Sequence, residues 1–168
     1  PSRPTTRRPG MHVSSQSQNP EAITLFGTSH ENVRNLEVDE ILNQVYTLYR
    51  RLRNRGEEIN NINFSCFGEP FFNLNNVITA IEILSNENCL NISKRKFILT
   101  TCGVIEGIDK LMENKLPLEL HIKLHGISNE IRDVILPINK SYPVEDLHAT
   151  LSAYQKGKKE DLLLNTFL

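Results

Sequence analysis

The sequence predicts an α/β fold in which a parallel sheet is covered by outer helices. Strand-like and helix-like segments alternate along the chain, and the connections between successive strands are long enough for parallel pairing. Polar residues or glycines follow the second, third and fourth strand-like segments. The 168 residues fit one domain that can bury a sizeable core.

The strands are predicted from short apolar or β-branched runs bounded by glycine or polar residues. They are MHVSSQ (11–16), NINFSC (61–66), KFILTTCG (96–103), LELHIKLHG (118–126) and DLLLNTFL (161–168).

The helices are predicted from apolar residues at helical spacing, as for Ile41, Val45, Leu48 and Leu52 in the first of them. Pro137 ends the fourth helix, and Tyr142-Pro143 precedes the fifth. The segments are LEVDEILNQVYTLYRRLRNRG (36–56), NLNNVITAIEILSN (73–86), IEGIDKLMEN (105–114), NEIRDVILP (129–137) and VEDLHATLSAYQK (144–156).

Composition favours neither a broad nucleic-acid surface nor a membrane protein. The net charge is −1, 39% of residues are hydrophobic, and no apolar run approaches the ~20 residues of a membrane span. Residues 1–20 hold Arg3, Arg7 and Arg8 and no acid. We expect residues 1–10 to form a flexible basic arm and residues 11–168 to form the domain.

The turn Gly68-Glu69-Pro70 predicts a ligand site. A carboxylate just outside the carboxyl end of a parallel strand can hold an amine or a hydroxyl. Similar polar ends follow the next two strands, at 100–103 and 123–126. A solvent-facing turn is the purely structural alternative for Glu69.

Several segments resemble the radical-SAM RNA adenine-C2 methyltransferases (the RlmN/Cfr group) across residues 12–155. The resemblance rests on VSSQ, VRNLEVDEILNQV, GEPFFNLNNVITAIEIL, ISKRKFILTTCGVIEGIDKL and IKLHGISNEIRDVILPINKSYPVEDL, in this order. It implies a partial (βα)6 radical-SAM-like barrel, truncated here to about five parallel strands, that binds S-adenosylmethionine at the strand ends.

The resemblance also implies which residues contact the cofactor. Gly68 and Glu69 would hold the amino end of the methionine moiety. Thr100 matches a family serine near the cofactor, and Leu124 and His125 match residues that line the same site. Lys123 replaces a serine of that segment, which leaves the fit of the cofactor open. Thr100 as a strand residue and His125 as a core histidine are the structural alternatives.

The cluster motif of the family is absent from this sequence. Family members place CxxxCxxC after the first strand, where three thiolates ligate a four-iron cluster. Between VSSQ and RNL this chain has no cysteine, and Asn19 stands where the first ligand belongs. His12 replaces a family cysteine of the first strand, and a further family cysteine lies beyond the matched region. We therefore expect no iron–sulfur cluster, no catalytic residues and no metal ligands. We also expect no bound cofactor, with S-adenosylmethionine as the alternative.

Three hypotheses follow. The first is an inactive family member kept as a component that binds RNA or the ribosome, with Arg3, Arg7, Arg8, Lys94, Arg95 and Lys96 contacting phosphate. The second is an enzyme that uses S-adenosylmethionine without a cluster. The third, an active RNA adenine-C2 methyltransferase whose cysteines lie elsewhere, is disfavoured by the continuous VSSQ…RNL match.

The first hypothesis also predicts partners and a compartment. We expect ribosomal RNA and ribosomal or assembly proteins, one of them covering an open edge of the sheet, and no membrane partner. The arginine-bearing start and the Asn/Ile/Lys-rich middle suit a mitochondrial or other organellar protein, with the cytoplasm as the alternative.

Overall fold

Within the described residues, five parallel strands form one sheet whose order follows the chain. The computed structural model describes residues 10–16, 34–65, 68–157 and 163–165, so most of the predicted basic arm lies outside the described residues. The strands are β1 (Met11–Val13), β2 (Ile62–Phe64), β3 (Phe97–Thr101), β4 (Glu119–Lys123) and β5 (Leu163–Asn165), in the order β1-β2-β3-β4-β5. The predicted α/β fold of about five parallel strands with outer helices is confirmed.

Helices connect successive strands, as the alternating pattern predicts. They are α1 (Val38–Arg53), α2 (Leu74–Ser85), α3 (Ile105–Asn114), α4 (Asn129–Ile135) and α5 (Val144–Gly157). Short 3₁₀ turns occur at Pro70–Asn73, Lys94–Lys96 and Pro137–Lys140. None of the helices within the described ranges has the length and apolar character that crossing a bilayer requires.

The first strand is shorter than predicted because its last residues bond elsewhere. The side chain of Gln44, on α1, accepts from the Ser14 N–H at 3.0 Å and donates to the Ser14 carbonyl at 3.2 Å. The Leu36 N–H donates to the Ser15 carbonyl at 3.1 Å. These backbone groups are therefore not available to a neighbouring strand, and β1 ends at Val13.

Helix α1 begins two residues later than predicted, at a capping box. The Glu40 carboxylate accepts from the Glu37 N–H at 2.8 Å and from Arg34 at 2.5 Å. The hydrogen bond from Arg34, with that of the Glu37 backbone, lowers the pKa of Glu40 to about 2. Glu37 is thus the N-cap, and the helix starts at Val38.

The two faces of the sheet differ in chemistry. One face packs against the helices and supplies fully buried residues such as Val13, Ile62, Leu99 and Ile122. The other face is mostly polar, with the buried Ile98 as an exception. Residues that pair across neighbouring strands share a face, and so do residues two apart along one strand. His12, Asn63, Thr100 and His121 lie on that polar face.

Candidate ligand site at the carboxyl ends of the strands

Glu69 joins the ends of β2 and β3. It is the N-cap of the 3₁₀ turn Pro70–Asn73, where its Oε1 accepts from the Phe71 N–H at 3.2 Å. Its Oε2 accepts from the Cys102 N–H, just beyond β3, at 2.9 Å. The carboxylate therefore lies at the edge of the sheet where the sequence predicted it.

Gly68 and Gln16 fix the backbone that presents Glu69. Gly68 has a φ of +82°, and a Cβ there would lie 2.4 Å from the Cβ of Gln16. The Gln16 Oε1 accepts from the Glu69 N–H at 3.1 Å. Only glycine meets both the dihedral and the spatial requirement at this turn.

Burial makes the Glu69 carboxylate receptive to a cation. Loss of hydration raises its pKa, and hydrogen bonds from Cys102, Thr101 and Phe71 and the charge of Lys123 partly offset that rise. Two backbone donors leave the two oxygens with further acceptor capacity. An ammonium group bound there would stabilise the ionised form, and such a contact stays a prediction.

Three neighbours of Glu69 define the electrostatics of the site. Burial, and then the charge of Glu69, raises the pKa of the Cys102 thiol to about 12. Burial, and then a hydrogen bond to Glu106, raises the pKa of Tyr142 to about 12. Both groups are therefore neutral at pH 7, and Lys123 supplies positive charge beside the carboxylate.

Arg132 holds the ends of β3 and β4 together, a role that the sequence analysis missed. Its side chain is fully buried and donates to the Cys102 carbonyl at 3.1 Å, to the Leu124 carbonyl, and from Nε to Asn139 Oδ1 at 2.6 Å. Asn139 in turn donates to Asp133 at 2.7 Å. The residues of this network, Arg132, Asp133 and Asn139, belong to the run IRD…LPIN that carries part of the family resemblance.

The remaining predicted cofactor residues occupy different surroundings. The Thr100 hydroxyl donates to Asn63 Oδ1 at 2.7 Å, on the polar face of the sheet. The Leu124 side chain packs against the core. His125 follows β4 with a φ of +50°, a left-handed conformation that is uncommon for a side-chain-bearing residue. Their contact with a cofactor stays a prediction.

A histidine–carboxylate pair on the polar face was also missed. His121 Nε2 lies 2.7 Å from Glu119 Oε1, and the histidine ring is largely buried. Glu119, His121 and Lys123 alternate along LELHIKLH, and that period of two places all three on one face of β4. This alternation was the available signal.

The segment between Gln16 and Asn35 begins and ends beside Glu69. Gln16 and Asn35 form a β-bridge, and the Gln16 amide donates to Asn35 Oδ1 at 2.8 Å. The Asn73 amide donates to the carbonyls of Ser15 and Leu36 at 2.7 and 2.8 Å. Residues 17–33 themselves lie outside the described residues.

The three cysteines of the sequence all lie outside the segment that follows β1. The sequence from 14 to 36 contains no cysteine. Among the described ranges, no group of three or more His, Cys, Asp or Glu side chains could hold a metal ion. Cys89 is exposed in the loop after α2, Cys102 is half-buried, and Cys66 lies outside the described residues.

The predicted phosphate contacts divide into two sets. Arg3, Arg7 and Arg8 lie outside the described residues. Lys94 forms an ion pair with Glu82 at 2.6 Å, and Lys96 donates to the Ile59 carbonyl at 3.0 Å, whereas the Arg95 side chain is exposed. An RNA role for all six stays a prediction.

Comparisons with known proteins identify the family and agree with the fold. A probable dual-specificity RNA methyltransferase RlmN from Dictyoglomus turgidum is 41% identical over 114 residues, which are 68% of this chain and 33% of that protein. A dual-specificity RNA methyltransferase RlmN from Buchnera aphidicola of Acyrthosiphon pisum is 35% identical over 156 residues, 91% of this chain and 43% of that protein. No protein-family model matches the chain.

A solved structure gives the same answer for the fold. The crystal structure of a radical SAM methyltransferase from Sphaerobacter thermophilus superposes with a TM-score of 0.77 and 28% sequence identity, covering 79% of this chain and 39% of that one. The fold of the described residues is therefore radical-SAM-like. The chain belongs to the RlmN-like family of radical-SAM RNA methyltransferases, and it spans about a third to two fifths of the length of the relatives it matches.

Proposed function

We propose that this chain is an RlmN-like protein that binds RNA and does not carry out radical methyl transfer. The observation that supports it is the segment between Gln16 and Asn35, which begins and ends beside Glu69 and contains no cysteine. Radical methyl transfer in this family uses an iron–sulfur cluster, which needs thiolate ligands. Residues 19–27, where the ligands would stand, include no cysteine.

The cysteines elsewhere in the chain do not replace the missing ligands. Cys89 is exposed beyond the end of α2, away from the carboxyl ends of the strands. Cys102 lies close to Glu69, but it is a single thiol, whereas a cluster of this family needs three thiolate ligands. No step of the proposed function therefore passes through a cluster.

S-adenosylmethionine binding without a cluster is the second candidate. The pair Glu119–His121 favours it, because a histidine held by a carboxylate can accept a proton from a methyl acceptor. Glu69 would hold the ammonium group of the cofactor, which would supply an activated methyl group. Lys123 would lie beside the carboxylate group of the bound S-adenosylmethionine.

The partner and compartment belong to the same proposal. The relatives are named RNA methyltransferases, which makes RNA the first partner to test. We propose a ribosomal RNA in a mitochondrial or other organellar ribosome, with ribosomal or assembly proteins beside it. One of these proteins would cover the open edge of the described sheet at β5, where strand pairing can continue.

An assay that measures binding and methyl transfer on one RNA separates the candidates. We expect the purified chain to bind a ribosomal RNA fragment in fluorescence anisotropy, with no labelled methyl group reaching adenine before or after anaerobic treatment with iron and sulfide. The Dictyoglomus turgidum relative is the positive control for transfer. Methyl transfer that requires iron and sulfide would contradict the proposal, and transfer without them would establish the second candidate.

A further inference from the structure

The carboxyl-terminal end of α1 carries a cluster of exposed arginines. We infer that this arginine cluster, defined as Arg50, Arg51, Arg53 and Arg55, binds the phosphate backbone of RNA at the end of the sheet opposite Glu69. The inference rests on the proposed RNA-binding function and assigns a surface to it. All four side chains are exposed.

Helical geometry places the cluster on the outer surface of α1. Ile41 and Val45 are fully buried against the core, and Leu48 and Leu52 continue their side of the helix. At about 100° per residue, Arg50 lies opposite that side, and Arg51 and Arg53 lie on its two flanks, about 90° and 110° away from it. They therefore face away from the core, where a large partner can reach them.

The four positive charges have no acidic partner in the described part of the chain. No ion pair joins any of them to a carboxylate there, in contrast to Lys94, which pairs with Glu82. The acids of α1, Asp39 and Glu40, lie in its first turn, about 16 Å along the axis from Arg51. Glu57 and Glu58 follow Arg55 and offset part of the local positive charge. The helix dipole favours cations in the last turn, but it does not neutralise four of them.

An aromatic side chain lies in line with two of the arginines. Tyr46, Arg50 and Arg53 follow one another at helical spacing of four and three residues, so they form a strip along the outer side of α1. Tyr46 is partly exposed. Aromatic rings beside guanidinium groups are typical of surfaces that bind RNA, because bases stack on both.

The aromatic neighbour Tyr46 and the names of the relatives favour RNA over an acidic protein or a membrane as the partner of the arginine cluster. The planar guanidinium donates two parallel hydrogen bonds to phosphate oxygens, a geometry that lysine cannot reproduce. The chain as a whole has a net charge of −1, so the cluster is a local positive surface rather than part of a broad basic field. The relatives with this fold are named RNA methyltransferases.

The cluster and the Glu69 site lie at opposite ends of the sheet. Helix α1 returns the chain from the carboxyl end of β1 to the start of β2, so its last turn lies at the amino ends of the strands. Lys96, just before β3, donates to the Ile59 carbonyl and brings the segment Lys94–Lys96 to the same end. RNA bound here would lie away from the Glu69 site, as expected of a binding component.

The test compares two triple variants that remove the same charge. R50Q/R51Q/R53Q removes three arginines from α1, and K110Q/K115Q/K140Q removes three exposed lysines from other surfaces. Glutamine has nearly the helix propensity of arginine, so far-ultraviolet circular dichroism and the urea midpoint should stay unchanged. The probe is a short RNA duplex of arbitrary sequence, titrated by fluorescence anisotropy across a range of salt concentrations.

We expect the arginine variant to bind the duplex more than about tenfold more weakly, with the slope of log K against log salt reduced by about 3. The lysine variant should match the wild type. Equal losses in both variants, or an unchanged slope in the arginine variant, would overturn the assignment while leaving RNA binding intact. A wild-type protein that binds no RNA, or binds only anionic vesicles or an acidic peptide, would overturn the proposed function as well.

Discussion

Replacing Arg132 with alanine is expected to lower the free energy of unfolding by about 3–5 kcal/mol. The side chain is fully buried and donates to Cys102, Leu124 and Asn139. Alanine would leave two carbonyls and an amide oxygen without these donors, and each such group costs about 1–3 kcal/mol. Urea denaturation followed by circular dichroism measures the change.

Two comparisons make the Arg132 experiment specific. R132K keeps the charge but loses the forked geometry, so we expect it to recover less than half of the loss. R51A removes an exposed arginine and should change the free energy of unfolding by less than about 0.5 kcal/mol. A loss below about 1 kcal/mol for R132A would show that the network does not hold the two strand ends together.

Replacing Gly103 with alanine is expected to cost about 2–4 kcal/mol. Gly103 follows Cys102 with a φ of +108°, and a Cβ there would lie 2.7 Å from the Cδ2 of Leu147 on α5. Leu147 is buried and cannot move aside without disturbing the core. Backbone strain of about 1–3 kcal/mol and overpacking of about 1–3 kcal/mol both contribute.

Gly56 provides the matched control for Gly103. It also has a positive φ, +69°, but nothing lies within 4 Å of the position of its Cβ. G56A should therefore show the backbone cost alone, about 1 kcal/mol. Equal unfolding midpoints for G103A and G56A would mean that Leu147 does not restrict the turn after β3.

Most of the fold could be predicted from the sequence because its signals are local and repeated. The helix over 105–114 has the predicted bounds, and α4 ends two residues before Pro137. The end of β1 could not be predicted, since Gln44, some 30 residues away, takes the hydrogen bonds of Ser14. Such a contact depends on tertiary packing, which local propensity does not report.

The site was predictable where backbone geometry restricts the residue type. Glycine and proline around Glu69 identify a turn, and a turn after a strand places the carboxylate at the edge of the sheet. Arg132 was missed because an arginine in the polar helix NEIRDVI is typical of an exposed residue. Its burial follows from the return of the chain through Pro137–Lys140, which brings Asn139 to it.

The most direct test of the proposed function is whether the purified protein can assemble an iron–sulfur cluster. Purified protein, treated anaerobically with iron and sulfide, should show no thiolate-to-iron charge-transfer band in the visible spectrum and no protein-bound iron after desalting. The Dictyoglomus turgidum relative, treated in parallel, should show both. A visible band with stoichiometric iron and sulfide in this chain would contradict the account and mean that the radical-SAM cluster is retained.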